Sequence, residues 1–272
     1  MTDNWSSESQ APPELETNLP QSARVWNYWL GGKDNFPADR AAGDQFREIF
    51  PEIVDAARAA RGFLARAVHY LAGEAGVRQY LDVGTGIPTA NNTHEVAQRV
   101  APESRIVYVD NDPIVLAHAR ALLTSTPQGA TAYIDADLHD PDTILRAAAK
   151  TLDFSQPTAL MLLGILGHVG DYDEAKSIVK RLLDALPSGS YLVLNDGTAV
   201  VNKERVEQAQ ELYNQSGAIP YHPRTPEQIA GFFEGLDLLE PGVVSCSRWR
   251  PDTVGGADPA EVDMFGGVGR KP

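Results

Sequence analysis

Between Asp44 and Ala75 apolar side chains recur three and four positions apart: Phe46, Ile49 and Phe50, then Ile53, Val54, Phe63, Leu64, Ala67, Val68 and Leu71. That spacing places them on one stripe of a helix, with a break at Pro51 and an end at Gly73 and Gly76. Beyond Gly76 the pattern changes to short unbroken apolar runs, each followed by an amphipathic stretch. The runs are QYLDV at 79–83, RIVYVD at 105–110, TAYIDAD at 131–137, TALMLL at 158–163 and YLVLND at 191–196. Runs of this kind are strands buried on both faces, and their alternation with helices predicts a mostly parallel sheet covered on each side.

The intervening helices carry their own start signals. One is expected from about Thr89 to Val100, and a second opens with Asp112 as cap and Pro113 in the first turn. A third begins with Asp171 and Glu174 at capping-box spacing, a polar helix follows at about 200–215, and Thr225, Pro226 and Gln228 repeat the cap pattern. Two last strands, near 236–249 and 262–268, are expected to pair as a hairpin-like edge. There is no internal repeat.

Composition narrows this picture. A chain of 272 residues that is 43% hydrophobic and 22% charged suits one large domain with extensions. The longest apolar stretch, TALMLLGILGHV, is broken by glycines and falls short of a membrane span. Residues 1–21 are rich in Ser, Pro and Glu and lack the pattern of a secretory signal, so a disordered tail is expected there. Cys246 is the single cysteine, which leaves no internal disulfide and no multi-cysteine metal site, and fits a cytoplasmic protein. The net charge is −14; the first twenty residues hold four acids and no Lys or Arg, so the remainder still carries −10. A nucleic-acid partner and a membrane partner are not expected.

Candidate chemistry collects where the strands end, the place where open sheets of this type bind ligands. Gly84, Thr85 and Gly86 form the turn after the first strand, and Asp82 stands two residues before it. Asp110 ends the second strand, where a carboxylate can accept hydrogen bonds from both hydroxyls of a ribose, with Asn111 beside it. Asp137 and Leu138 end the third, offering an acceptor for an exocyclic amine and a backbone N–H for a ring nitrogen. Glycine turn, ribose acid and base-recognising acid in successive loops describe an adenosine site. The plainer alternative is that these acids cap the following helices, which fits Asp112 better than Asp110. A dinucleotide is disfavoured: Gly84-Thr85-Gly86-Ile87-Pro88-Thr89 lacks the third Gly or Ala of the dinucleotide fingerprint, and Pro88 removes an N–H that a pyrophosphate needs. Adenosine bearing a cationic sulfonium suits the carboxylates better.

The succession Asp82-x-Gly84-x-Gly86, Asp110 and Asp137-Leu138 resembles the class I methyltransferases that use S-adenosylmethionine (SAM). More specifically, SARVWNYWLGGKDNFPADRAAGDQ at 22–45, PYHPRTPEQIAGFFEGLDLLEPGVV at 220–244 and GGVGRKP at 266–272 are similar to an actinobacterial family of SAM-dependent methyltransferases. The resemblance covers 22–272. It implies a Rossmann-like α/β fold with a mostly parallel seven-stranded sheet, helices on both faces and an N-terminal helical extension. It also implies SAM as cofactor, S-adenosylhomocysteine (SAH) as product and a small-molecule acceptor of unknown kind. Two departures are visible: class I loops often have a third glycine where this chain has Pro88, and the family more often has Asp-Tyr where this chain has Asn27-Tyr28. The domain division expected is 1–21 as tail, 22–78 as helical extension and lid, and 79–272 as the SAM-binding core.

In this reading the methyl group faces the ends of strands one and four, and RVWNYWLGGKDNF at 24–36 closes over it. Tyr28 and Lys33 are the expected ligand contacts, with Arg24 or Lys33 pairing with the carboxylate of the methionine moiety. The alternative is an N-terminal helix packed on the core and capped by Gly31 and Gly32. By the resemblance, Gly164 and the loop after strand four line the transfer site, where His168 is the titratable candidate for a general base. Asp196, Tyr221, His222 and Arg224 are further acceptor-pocket candidates. A SAM-binding sensor or partner protein without turnover is the alternative function.

Overall fold

The computed structural model describes residues 17–122, 124–251 and 258–272; residues 1–16 of the expected tail lie outside the described residues. Three helices come first: α1 (Ser22–Trp29), α2 (Pro37–Ile49) and α3 (Ile53–Gly73). Pro51 separates α2 from α3, and the apolar stripe read from the sequence is the buried face of both, from Phe46 through Leu71. The alternating part then runs β1 (Gln79–Val83), α4 (Thr93–Val100), β2 (Arg105–Asp110), α5 (Pro113–Leu122), β3 (Ala130–Asp135), α6 (Pro141–Ala148) and β4 (Ala159–Leu163). It continues through a 3₁₀ turn at Leu166–His168, α7 (Tyr172–Asp184), β5 (Tyr191–Gly197), α8 (Lys203–Asn214) and α9 (Pro226–Gly231). The edge strands are β6 (Asp237–Leu238), β7 (Val244–Ser245) and β8 (Met264–Arg270).

The strands form one sheet in the order β3-β2-β1-β4-β5-β8-β6, with β7 also paired to β8. β1 to β5 are parallel and β8 is antiparallel to β5, so the sheet is mostly parallel as expected. It has eight segments where seven strands were expected. β6 and β7 both pair antiparallel with β8, in registers Leu238↔Gly269 and Val244↔Gly266. The residues between them loop out, so one edge strand is broken in two. Two other expectations shift. The helix expected from Thr89 starts at Thr93, because Asn92 and Glu95 form the capping box. α6, capped by the Asp140 side chain on Thr143 N, was not read from the sequence.

Strand alternation divides the core. Tyr80, Ile106, Tyr108, Met161 and Val193 pack toward α1–α4 and α8, whereas Leu81, Val107, Leu160, Leu162, Leu192 and Leu194 pack toward α6, α7 and α9. By the same period of two, Asp82, Asp110 and Asn195 belong to the first face and Asp196 to the second. Connections diverge between β1 and β4, so the crevice at their carboxyl ends is the switch point of the fold.

Candidate functional site

A cavity of about 430 Å³ opens at that switch point. Its floor is the turn after β1. Gly84 has φ +73°, and a Cβ there would lie 2.4 Å from the Ile165 side chain, so the turn requires glycine for backbone conformation and for packing alike. Gly86 has φ +64° and its absent Cβ would meet nothing nearer than Ala23, 3.9 Å away, which leaves the backbone itself as cavity wall.

Asp110 ties this turn to β2. Its Oδ2 accepts from Gly86 N (2.9 Å) and its Oδ1 from Asp112 N (2.9 Å), leaving each oxygen with further acceptor capacity at the cavity wall. Burial raises its pKa, with the two backbone N–H groups opposing. Asp112 does act as a helix cap, accepting from Ile114 N at 2.8 Å. Asp137 and Leu138 follow β3 on the same wall, with Asn111 reaching Asp137 at 3.5 Å. Partial burial would raise Asp137, but hydrogen bonds from the His139 backbone and ring hold it below the ordinary carboxylate value.

Asp82 is buried on the α3–α4 side, accepting from Thr93 Oγ1 at 2.6 Å. Burial pushes it up to about 6, while the Thr93 hydroxyl and the Arg61 cation pull the other way. Arg61, from the middle of α3, is the one Lys or Arg among the described residues lining the cavity. It donates to Ala90 O and Asn91 O, and burial lowers its pKa despite the nearby acids. The sequence reading missed Arg61, since one arginine in a helix with several has no local mark.

Ten of the expected residues therefore meet in one cavity: Asp82, Gly84, Thr85, Gly86, Asp110, Asn111, Asp137, Leu138, Gly164 and His168. Tyr28 and Lys33 do not. Tyr28 packs against Gly43 and its hydroxyl donates to Asp44 at 2.7 Å, and Lys33 is exposed away from the lining residues. Arg24 is also engaged elsewhere: it is buried in an ion pair with Asp39 at 3.0 Å and donates to Leu19 O. The reason is helical geometry. Residues 22–29 form α1, so neighbouring positions point in different directions, and Trp26 and Trp29 face the cavity while Tyr28 turns toward α2.

The following loop is wound around Asn27, whose Oδ1 accepts from Asp34 N (3.1 Å) and Asn35 Nδ2 (3.0 Å). A Cβ on Gly32 would lie 2.3 Å from that amide, and Gly31 takes φ +81°. Much of the 24–36 motif is thus a structural lock, and the expected alternative of a packed, glycine-capped helix describes it.

Part of the cavity wall is aromatic. Trp26, Trp29, Phe46, Phe50 and Tyr213 line it, with Trp29–Phe46 and Phe46–Tyr213 centroids 5.1 and 6.1 Å apart. His168 also lines the cavity. Its Nδ1 lies 3.0 Å from Pro220 O, so that nitrogen carries the proton and Nε2 keeps its lone pair; burial lowers its pKa. Asp196, expected to be in the acceptor pocket, is instead on the opposite sheet face. It is held by the Tyr221 hydroxyl and lies 3.6 Å from buried Arg224. Tyr221 lines the cavity with its ring, but its hydroxyl serves Asp196 and Gly197 N, and His222 is exposed outside the lining.

The wall fits an adenosyl sulfonium. Carboxylates outnumber the single cation, backbone is bare at Gly86, and two wall residues keep buried polar atoms without protein partners: Thr89 Oγ1 and Asp112 Oδ2. Comparison with known proteins agrees. A crystal structure of a DUF574 family protein from Streptomyces avermitilis is 48% identical, with TM-score 0.89, covering 94% of this chain and 99% of its own. A candidate methyltransferase from Thermobifida fusca is 40% identical, with TM-score 0.86, covering 97% and 99%. No functionally curated protein is detectably similar in sequence. The family described as S-adenosyl methyltransferase matches residues 8–272, and the chain belongs to that family: it is a SAM-dependent methyltransferase.

Proposed function

We propose that the protein methylates a small molecule held in the aromatic half of the cavity, and that its cofactor lies across the ends of β1 to β3. In this reading Asp110 accepts from both ribose hydroxyls, and Asp137 with the Leu138 N–H recognises the adenine. Gly84, Thr85, Gly86 and Gly164 give the methionine arm backbone to lie against, and Asp82 and Asn111 frame it. Arg61 takes the role first assigned to Arg24 or Lys33, pairing with the methionine carboxylate. SAM supplies a methyl group on a cationic sulfur that leaves as a neutral thioether, so alignment and exclusion of water do much of the work.

The helical segment within 22–78 covers the site, the core from 79 on supplies the cofactor residues, and His168 Nε2 is the proton acceptor for the small molecule. The observation that carries the reading is the coincidence, in one cavity, of the glycine turn, Asp110, Asp137 and a single cation. It is tested with SAH and 5′-methylthioadenosine, which lacks the amino-acid carboxylate. Arg61→Met is expected to weaken SAH binding ~10- to 100-fold, a charge-assisted hydrogen bond being worth about 1.5–3 kcal/mol, and to leave methylthioadenosine within about twofold. Equal losses for both ligands would remove Arg61 from the carboxylate role.

A further inference from the structure

We infer that the acceptor is an uncharged, flat, ring-bearing molecule presenting one hydroxyl, and that His168 Nε2 addresses that hydroxyl. This deepens the methyltransferase reading above and rests on it.

The walls set shape and polarity. Trp26 and Trp29 of α1, Phe46 and Phe50 of α2 and Tyr213 of α8 surround the space with ring faces and edges, a lining that favours a flat apolar guest. Ile219 lines the same cavity yet is 47% exposed, so an apolar side chain stands at its mouth.

Charge is managed away from this half. Asp263 lines it, but its carboxylate accepts from Val200 N, Val201 N and Asn202 N at 2.8–2.9 Å. Asp196 faces the other side of the sheet, and Arg24 is paired with Asp39. Arg61 stands on α3 against the glycine-turn loop. An acceptor carboxylate would lose its hydration here without gaining a partner, at a cost of several kcal/mol by the usual desolvation argument. An acceptor ammonium would meet aromatic faces, which by themselves attract cations. It would, however, sit beside the cationic sulfonium with no free carboxylate to offset the repulsion.

The polar group that remains matches a hydroxyl. Nδ1 of His168 is engaged by Pro220 O, and no described protein group hydrogen-bonds Nε2, so the ring offers one acceptor. A hydroxyl is the simplest uncharged group that gives one hydrogen bond to such an acceptor. His168 Nε2 then receives the hydroxyl proton as the oxygen forms its bond to the methyl carbon, the electron pair of the broken carbon–sulfur bond returning to sulfur.

The test uses one ring system in four forms: 2-naphthol, naphthalene, 2-naphthoate and 2-naphthylmethylamine, titrated calorimetrically at pH 7 into the full chain saturated with SAH. 2-Naphthol is expected to bind at least tenfold tighter than either ion. His168→Asn is expected to weaken 2-naphthol five- to tenfold and to leave naphthalene within twofold. Either ion binding as tightly as the naphthol, or no member binding to SAH-loaded protein, overturns the acceptor class while the cofactor reading stands. Equal losses for naphthol and naphthalene in the variant overturn the hydroxyl assignment. Failure of SAH itself to bind overturns both readings, and that titration is done first.

Discussion

The two halves of the cavity are built by different means. The half proposed for the cofactor is made of backbone and short polar side chains at consecutive strand ends: Gly84 and Gly86 after β1, Asp110 at the end of β2, Asp137 after β3. The half proposed for the acceptor is made of large side chains from α1, α2 and α8. A fixed ligand can be met by rigid turns whose geometry follows from the sheet. A variable one is met by helices that can be repacked without disturbing the strands.

Damage should divide along the same line, and the largest effect belongs to the cofactor half. Asp110→Ala removes the proposed acceptor for two ribose hydroxyls, each charge-assisted bond being worth ~1.5–3 kcal/mol, and also frees Gly86 N and Asp112 N. SAH affinity measured by calorimetry should fall at least 100-fold; an unchanged value in a folded variant would give the β2 acid a purely structural job.

In the helical extension the corresponding break is in stability. Arg24→Met strands Asp39 in a buried site, where breaking a pair costs ~3–5 kcal/mol. Urea unfolding should show that loss. A loss of SAH affinity with stability intact would instead make Arg24 a ligand contact.

Asp82 sharpens the comparison through pH. Its folded pKa of about 6 lies above the unfolded value, chiefly because it is buried. Thr93 and Arg61 oppose that shift and Asp110 adds to it, with Tyr108 also nearby. Its contribution is therefore fully present below about pH 4 and is lost as pH rises through 6. Two units amount to roughly 2–3 kcal/mol. Asp82→Asn, which can still accept from Thr93, should match the wild type near pH 4 and be more stable by about 2 kcal/mol at pH 7. Parallel stability curves for the two proteins would show that Asp82 does not titrate there.

The smallest effect is expected at the residues that point away. Tyr28→Phe and Lys33→Ala should leave SAH affinity within about twofold, since the Tyr28 hydroxyl serves an exposed Asp44 and the Lys33 ammonium is in solvent, a setting worth ~0–1 kcal/mol. A tenfold loss in either would move the 24–36 loop over the ligand.

What the sequence determined follows from short-range rules. Short unbroken apolar runs marked β1 to β5 to within about two residues, and cap chemistry marked Asp112, Asp171 and Thr225, because a strand's burial and a helix's first turn are decided within a few residues. Those same rules located Gly84, Gly86, Asp110 and Asp137, since each sits at a strand end. The broken β6–β7 edge was out of reach, because pairing to β8 is decided by partners about twenty to thirty residues downstream.

The direction of each side chain in α1 was likewise set by packing. About half a turn of helix separates Trp26 in the cavity from Tyr28 on α2, and the Arg24–Asp39 pair holds α1 against α2 in that rotation. Arg61 lines the cavity only because α3 lies against the loop after β1, and Asp196 does not because β5 turns it to the opposite face. Tertiary structure alone brought α2 and α8 together, so that Phe46 and Tyr213 share one wall although more than 160 positions separate them.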